Sequence, residues 1–187
     1  MDFLPLQGVR VIDFTRLLAG PYATMTLAEL GADVIKIEAP GIGDETRHWG
    51  PPFAADGNSA YFHAINRGKR SVTADLTLEA DRRRVHDLIA DADVVIESFR
   101  PGVADRLGIG AEEIGRRFPQ IVYASISGFG SVGPLSAEPG TAVTVEAESG
   151  LMHVTGYDGG EPVRSGVAMV DRSEERRVGK ECRSRWS

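Results

Sequence analysis

Short apolar runs rich in β-branched residues alternate along the chain with longer segments in which apolar residues recur at helical spacing. The apolar runs predict five strands, at residues 9–14, 32–38, 70–76, 93–99 and 121–127. The longer segments predict helices at residues 21–31, from Thr77 to about Ala92, and near residues 111–117. Strands that alternate with helices predict an α/β fold built on a doubly wound, mostly parallel, Rossmann-like sheet.

Several residues are typical of helix ends. Pro21 suits the first turn of its helix, where the missing N–H has no helical partner, and Gly31 suits a left-handed stop. Thr77 is predicted to be the N-cap of the second helix, with Glu79 and Asp81 near the positive end of the helix dipole. These signals set the expected limits of the first two helices.

Two Gly- and Pro-rich stretches interrupt the alternation. Residues 39–69 are too long for an ordinary connection, and their aromatic side chains predict an ordered segment. Residues 127–140 follow the last predicted strand, at the edge where open α/β sheets bind ligands. Here Gly128, Gly130 and Gly133 match the G-x-G-x-x-G pattern, but the residues after them predict no helix N-terminus that would bind a pyrophosphate. NAD is therefore not expected as a cofactor.

Composition excludes several classes of protein. The 187 residues are 42% hydrophobic and 26% charged, which suits one domain with a core. No apolar stretch approaches the roughly 18 residues of a membrane span, no signal-peptide pattern is found, and the single cysteine, Cys182, excludes a disulfide framework. A cytoplasmic location is therefore expected. No two histidines lie four residues apart, so no metal site is predicted, and His86 is expected at the surface of its helix.

Charge divides the chain into two parts. Residues 1–171 contain 15 Lys and Arg against 24 Asp and Glu, whereas residues 172–187 contain 6 against 3. The acidic body disfavours nucleic-acid binding, because a surface that follows phosphates needs clustered cations. The tail, residues 172–187, resembles a translated sequencing-library adapter and is expected to be non-native, with a solvated or disordered native end as the alternative. The predicted domain is therefore residues 1–171.

Six segments, in the same order and spacing, resemble the family III CoA-transferases, which include formyl-CoA transferase, crotonobetainyl-CoA:carnitine CoA-transferase and α-methylacyl-CoA racemase. They are VIDFTRLLAGPYATMTLAELGADVIKIEAPGIGD, NRGKRSVTADL, ADVVIESFRPGVADRLGIG, IVYASISGFGSVGP, ESGLMHVTG and PVRSGVAMVD. The resemblance covers residues 5–171. It implies that residues 1–171 are a CoA-binding domain, that they form the N-terminal part of a larger family fold, and that the whole protein is an interlocked homodimer.

The resemblance also implies a catalytic residue. Asp171, at the end of GVAMVD, corresponds to the aspartate that attacks an acyl-CoA thioester and passes CoA to a carboxylic acid through aspartyl anhydride and thioester intermediates. An aspartate carboxylate is ionised at neutral pH and can attack a thioester carbonyl. Because one thioester is exchanged for another, neither a metal nor ATP is expected to be required. Apart from the resemblance, a single Asp after an apolar run is more typical of a helix N-cap.

Contacts with the substrate coenzyme A are carried over from the family by matching position. They fall on Leu18, Ala19, Ala74, Asp75, Leu76, Thr77, Ser98, Phe99, Arg100 and Arg106. Phe99 is expected to pack against the adenine, and Arg100 or Arg106 is expected to face a phosphate.

The chain departs from the family pattern at three positions. Ala39 stands where an arginine is frequent, Ser98 where an asparagine is frequent, and Thr77 near a frequent lysine. The phosphate contacts are alternatively expected at Lys69, Arg70 or Arg47.

Thr141 separates two activities within the family. In the racemases a histidine at this position works with the aspartate, whereas a threonine hydroxyl is no base near neutral pH. A transferase is therefore expected, and the alternatives are a racemase-like enzyme or an inactive CoA-binding fragment. Because family members are longer, residues 134–171 are expected to expose apolar surface and the chain to be weakly active or inactive.

Overall fold

The chain forms an α/β fold around one parallel sheet. The structure, a computed structural model, describes residues 4–173; the side chains of the tail at residues 172–187 lie outside it, and so does the expectation that this tail is non-native. The strands are β1 Arg10–Asp13, β2 Asp33–Glu38, β3 Arg70–Thr73, β4 Val94–Glu97 and β5 Val122–Ser125. They lie in the order β3-β2-β1-β4-β5, and every neighbouring pair is parallel. The predicted parallel sheet is confirmed.

Eight α-helices accompany these strands in residues 4–173. They are α1 Ala19–Glu29, α2 Ala60–Asn66, α3 Glu79–Ala90, α4 Val103–Arg106, α5 Ala111–Arg117, α6 Ala142–Glu148, α7 Leu151–Val154 and α8 Met169–Ser173. The helices predicted from periodicity correspond to α1, α3 and α5. Gly31 has φ of +104° just after α1, as its predicted role as a left-handed stop requires. None of these helices has the length and apolar character that crossing a bilayer requires.

Helices cover both faces of the sheet. In β1, Val11 and Ile12 are fully buried and point to opposite faces, because side chains alternate along a strand. Ile12 belongs to a cluster with Val85 and Ile89 of α3 and Ile114 of α5. Val11 belongs to a second cluster, against which residues of α1 pack. The sheet is therefore doubly wound, as predicted, with its core in two layers.

The predicted N-cap of α3 is wrong. The residue before the helix is Leu78, whose side chain has no capping hydrogen bond. Thr77 instead donates its hydroxyl to Asp75 Oδ1 at 2.6 Å, and its backbone N–H donates to the same oxygen at 2.9 Å. Asp81 of the first turn accepts from the N–H of Asp75 at 2.8 Å, so the chain before the helix is held from both sides. The hydroxyl of Thr77 is therefore bonded to Asp75 and does not cap α3.

His86 is buried, contrary to the prediction that it lies at the surface of its helix. It is 8% exposed, and its ring packs edge-on against Phe118. Its Nε2 lies 2.8 Å from the carbonyl oxygen of Gly108, and its Nδ1 lies 2.5 Å from the guanidinium of Arg117. His86 therefore joins α3 to the segment that precedes α5.

Residues 39–69 are ordered, as their aromatic content predicts. A short 3-10 helix at Glu45–His48 begins at Asp44, whose side chain accepts from the N–H of Thr46, and α2 begins at Ser59, whose hydroxyl accepts from the N–H of Phe62. The two helical pieces are joined because the Ser59 hydroxyl also donates to the carbonyl of Thr46 at 2.5 Å. This segment is therefore part of the fold, and its helix α2 packs against α1.

Apolar side chains are exposed along the last part of the described chain. At least 41% of the residue surface is accessible in each of Val132, Leu135, Val143, Val154, Tyr157, Val163, Val167 and Met169. The exposed apolar surface predicted for residues 134–171 is therefore present. An exposed surface of this kind is typical of a face that another part of a protein covers.

Candidate active site

Two loops meet where the direction of chain winding reverses in the sheet. From β1 the chain continues to β2 on one side, and from β4 it continues to β5 on the other side. Open α/β sheets bind ligands in the crevice that this reversal creates at the carboxyl ends of the two strands. Leu18 and Ala19 follow β1, and Ser98 and Phe99 follow β4, so four of the predicted CoA contacts flank this crevice.

Arg16 connects the two loops. Its backbone N–H donates to the hydroxyl of Ser98 at 3.2 Å, and its guanidinium carbon lies 5.6 Å from the centre of the Phe99 ring. Phe99 is fixed from the other side, because its N–H donates to Glu97 Oε2 at 2.7 Å and its ring packs against the core. Sequence reasoning missed Arg16, although a cation directly after β1 was a usable signal.

The turn from β1 into α1 has an unusual backbone. Leu17 has φ of +70°, the only positive φ among non-glycine residues in residues 4–173. Leucine rarely adopts this left-handed conformation, and such strain persists where surrounding structure imposes it. A Cβ on Gly20 would lie 2.3 Å from Cβ of Thr15, so only glycine allows α1 to approach the end of β1 this closely.

A buried carboxylate holds the chain below this turn. Asp13 is fully buried, and its Oδ1 accepts from the N–H of Thr15 at 2.8 Å and from the Thr15 hydroxyl at 2.5 Å. Its Oδ2 accepts from Thr24 of α1 at 2.6 Å and from Lys69 Nζ at 3.1 Å. Burial alone would raise the pKa of Asp13, but the ammonium groups of Lys69 and Lys36 and these hydroxyl donors lower it. Asp13 is therefore held as a carboxylate.

Two buried lysines complete this network. Lys69 also donates to the carbonyl of Pro21 at 2.9 Å and to Asn66 Oδ1 at 2.8 Å. Burial lowers the pKa of Lys69 to about 8, although the charge of Asp13 opposes this change. Lys36 donates to the carbonyl of Thr15 at 2.7 Å and pairs with Asp44 Oδ2 at 2.9 Å. The network therefore ties β1, β2, α1 and residues 39–69 to the turn at the crevice.

The alternative phosphate ligands are engaged with carboxylates. The side chain of Lys69 is 2% exposed and pairs with Asp13. Arg47 contacts both oxygens of Glu38, at 2.8 and 2.6 Å, and Arg70 contacts both oxygens of Asp33. Burial alone would raise the pKa of Glu38, yet hydrogen bonds from Arg47, Ser71 and the N–H of Asp44 lower it to about 2. This pairing disfavours Lys69, Arg47 and Arg70 as phosphate ligands.

The other predicted CoA contacts lie further along the same edge of the sheet. Ala74, Asp75, Leu76 and Thr77 follow β3, which is two strands away from β1. Arg100 follows β4, and Arg106 is the last residue of α4; both side chains are exposed. The structure thus brings Leu18, Ala19, Ser98 and Phe99 together and places the remaining residues around this group.

Asp171 is the third residue of α8, so it is not a helix N-cap. Helix α8 contacts α1, which begins at the crevice, and also contacts α6. The Asp171 side chain is partly buried. Burial and the negative charge of Glu146 raise the pKa of Asp171, and the positive charge of Arg164 opposes them. A carboxylate of raised pKa is more basic and therefore a better nucleophile than an ordinary aspartate.

Neither a dinucleotide loop nor a metal cluster is found in the described part of the chain. The next helix after the glycine pattern is α6, which begins only at Ala142, so no helix N-terminus lies directly after Gly133. A Cβ on Gly128 would lie 2.4 Å from Cα of Gly140, so this glycine allows two backbone segments to approach. No group of three or more potential metal ligands from His, Cys, Asp and Glu occurs within residues 4–173.

Comparisons with known proteins agree with this geometry. The family model described as CoA-transferase family III matches residues 6–174. Succinyl-CoA:glutarate CoA-transferase of Mus musculus is 49% identical over 167 residues, which are 89% of this chain and 38% of the mouse protein. Acetyl-CoA:oxalate CoA-transferase of Acetobacter aceti is 48% identical over 162 residues, 87% of this chain and 41% of that protein.

Solved structures show the same similarity. The crystal structure of a CAIB/BAIF family protein from Brucella suis has a TM-score of 0.90 and 45% identity, and the match covers 96% of this chain and 48% of that chain. A hypothetical protein from Mycobacterium tuberculosis has a TM-score of 0.84 and 39% identity, with 96% and 49% covered. The chain therefore spans less than half the length of these relatives.

Proposed function

Since the chain belongs to CoA-transferase family III, we propose that it moves CoA from an acyl-CoA thioester to a carboxylic acid, with Asp171 as the nucleophile. The observation that carries this proposal is the position of Asp171. Its helix α8 packs against α1, which starts at Ala19 in the crevice between the β1 and β4 loops. A thioester whose CoA follows these loops would have its acyl end near α8.

The chemistry needs only one carboxylate and two displacements. A carboxylate oxygen of Asp171 attacks the thioester carbonyl carbon, the C–S bond breaks, and CoA leaves as a thiolate, so an aspartyl anhydride forms. The thiolate then attacks the aspartyl carbonyl carbon, which releases the acyl group as a carboxylate and leaves Asp171 as a CoA thioester. The acceptor carboxylate reverses the two steps and restores the Asp171 carboxylate. One thioester replaces another, so no net proton transfer is required.

We assign CoA contacts to the loops at the crevice. The adenine packs against Phe99, and the phosphates lie toward Arg16, Arg100 and Arg106. These three guanidinium groups are on exposed residues, and none forms an ion pair within residues 4–173. Leu18, Ala19 and Ser98 contribute backbone and hydroxyl groups, while Ala74, Asp75, Leu76 and Thr77 border the path of the ligand. Direct charge-assisted hydrogen bonds of this kind contribute about 1.5–3 kcal/mol each.

The transferase is preferred over the racemase because of Thr141. Its hydroxyl accepts from the N–H of Thr144 at 3.3 Å, while the Thr144 hydroxyl accepts from the N–H of Thr141 at 2.8 Å. Thr141 is therefore used as the N-cap of α6 and supplies no acid or base. The two curated relatives described above are also transferases by name, and they act on carboxylic acids. We propose a small carboxylic acid as the acceptor.

The complete enzyme is proposed to contain structure in addition to the described residues, since this chain spans only 38% of the mouse relative. The exposed apolar side chains of residues 132–169 suit a surface that further structure covers. We propose that the complete enzyme is a homodimer in the cytoplasm, that residues 1–171 are its CoA-binding domain, and that residues 172–187 are not native to it. In the 187-residue chain alone, the CoA adduct on Asp171 is then expected to form slowly.

The experiment that tests the function is labelling with succinyl-CoA. The 187-residue chain is incubated with succinyl-CoA, digested with trypsin, and examined by mass spectrometry. We expect a CoA adduct on the peptide that contains Asp171, and we expect added glutarate to remove it as glutaryl-CoA. Absence of any adduct on this peptide at saturating succinyl-CoA would reject the transferase activity of this chain and favour the inactive CoA-binding fragment.

Replacing Arg16 tests the location of the CoA site. We expect Arg16→Ala to weaken CoA binding about 5- to 10-fold, because both a phosphate contact and the cation–π contact that orders Phe99 are lost. Isothermal titration calorimetry with CoA measures the change. Arg83→Ala is the control, because Arg83 is also an exposed arginine, lies on α3 and pairs with Glu79. Equal affinities of the wild type and Arg16→Ala would remove Arg16 from the site.

A further inference from the structure

A buried carboxylate that the proposed mechanism does not use lies on α6, the helix that packs against the helix of Asp171. Glu146 of α6 is 0% exposed, which is rare for a charged residue. Its Oε1 accepts from the hydroxyl of Ser165 at 2.5 Å, and its Oε2 accepts from the backbone N–H of Ser165 at 3.2 Å. Both donors are neutral. A buried carboxylate held by neutral donors is costly, so its position needs an explanation.

The hydrogen bonds of Glu146 fix the chain that leads to Asp171. The hydroxyl of Ser165 also lies 2.7 Å from the carbonyl oxygen of Val167, and that carbonyl accepts from the N–H of Met169 at 2.8 Å. Met169 is the first residue of α8. The hydroxyl of Ser165 donates its single proton to Glu146 Oε1, and the N–H of Ser165 donates to Oε2, so Glu146 holds Ser165 by two hydrogen bonds. A separate turn at Val167 leads from there to the start of the helix that carries Asp171.

A second attachment holds the same segment. The N–H of Val163 donates to the carbonyl of Met152 in α7 at 3.0 Å. Residues 163–167 are therefore fastened to α6 and to α7, although most of their side chains are exposed. The hydrogen bond of Val163 is made by its backbone, whereas Ser165 uses its side chain as well as its backbone, so Ser165 can be tested by substitution.

We propose that Glu146 is a positioning residue for Asp171: it orients the segment of residues 165–169 through Ser165 and keeps a second carboxylate on α6, the helix that packs against α8. The proposal rests on the proposed function of Asp171. The second carboxylate disfavours the charged form of Asp171, so the oxygen that attacks the thioester is more basic. Relief of this repulsion when Asp171 is acylated and loses its charge would also favour formation of the covalent intermediate.

Several charged and titratable groups surround Asp171. Glu146 approaches from α6, and Arg164 approaches from the preceding segment and opposes its effect. Helix α1 packs against α8 and carries Tyr22 and Glu29. Removing the charge of Glu146 is therefore expected to leave Arg164 as the dominant partner and to lower the pKa of Asp171.

The primary test replaces Glu146 with its neutral isostere. In Glu146→Gln the side chain keeps its size and one acceptor oxygen for Ser165 but loses the charge. The titration of the Asp171 carboxyl carbon is followed by ¹³C NMR in the 187-residue chain, with the signal assigned by its loss in Asp171→Asn. We expect the pKa of Asp171 to be lower in Glu146→Gln than in the wild type. Glu148→Gln, which removes an exposed charge two residues along α6, is expected to leave it unchanged.

A second variant tests orientation by a different measurement. Ser165→Ala removes the hydroxyl that donates to Glu146, and we expect about 10-fold slower labelling of Asp171 at saturating succinyl-CoA. The concentration that gives half-maximal labelling is expected to stay the same, because CoA binds elsewhere. An unchanged Asp171 titration in Glu146→Gln overturns the role of the charge, and if that variant does not fold, normal labelling by Ser165→Ala overturns the role in orientation. Absence of labelling in the wild type would instead reject the function, while the NMR titration still tests the Glu146 charge.

Discussion

Asp171→Asn is expected to abolish covalent labelling by succinyl-CoA and to lower any CoA transfer by at least about 10³-fold, because a neutral amide is a poor nucleophile toward a thioester. The asparagine has nearly the same shape as the aspartate. Helix α8 and its contacts with α1 and α6 should therefore persist. The rate is measured as formation of the CoA adduct in intact-protein mass spectra, and as glutaryl-CoA formation when glutarate is added.

The affinity of Asp171→Asn for CoA shows whether Asp171 acts as the nucleophile or as a CoA-binding residue. We expect Asp171→Asn to bind CoA within about 3-fold of the wild type, since its carboxylate meets the acyl carbon and not the nucleotide. Asp158→Asn, an exposed aspartate in a neighbouring turn, is the control and should retain labelling. Normal labelling in Asp171→Asn would show that another residue forms the intermediate.

Asp13→Ala is expected to reduce the free energy of unfolding by about 3–5 kcal/mol. The substitution leaves Lys69 buried without its carboxylate and removes the acceptor of Thr15 and Thr24, and breaking one partner of a buried ion pair has this cost. Urea unfolding followed by circular dichroism at pH 7 measures the change. The loss should also weaken CoA binding, because Thr15 leads directly into the turn at the crevice.

Two further variants serve as controls for the stability loss expected in Asp13→Ala. Asp13→Asn keeps an acceptor for Thr15 and is expected to lose less stability than Asp13→Ala. Asp87→Ala, which removes an exposed aspartate on α3, should change stability by no more than about 0.5 kcal/mol. A loss below about 1 kcal/mol for Asp13→Ala would mean that the buried network contributes little to the fold.

Local patterns were sufficient to predict most of the secondary structure. The β-branched runs gave the five strands, and α5 has the predicted limits because its helical spacing is clear and glycine precedes it. The N-cap of α3 was wrong because Asp75 competes for the hydroxyl of Thr77, which propensity alone does not reveal. His86 was misplaced because its partners are 22 and 31 residues away in the sequence.

Less of the candidate site than of the secondary structure could be predicted from the sequence. The family resemblance supplied Asp171 and the CoA contacts, but the meeting of the β1 and β4 loops depends on strand order, which alternation alone does not fix. Lys69 and Arg47 looked like free cations, and only the fold shows that Asp13 and Glu38 bind them. Glu146 carries no sequence signal, because one glutamate in a short amphipathic helix is ordinary until its burial and its bonds to Ser165 are seen.

The buried network has a consequence for biosynthesis. Asp13 is separated from Lys69 by 56 residues, and Lys36 and Asp44 come from the chain between them. The left-handed turn at Leu17 therefore acquires its supports only after residues far downstream have been made and folded. A ribosome-bound chain that has exposed only the first strand and helix would have the residues of the loop after β1 but not the shape of that loop, which emerges only when Lys69 and the third strand have been made.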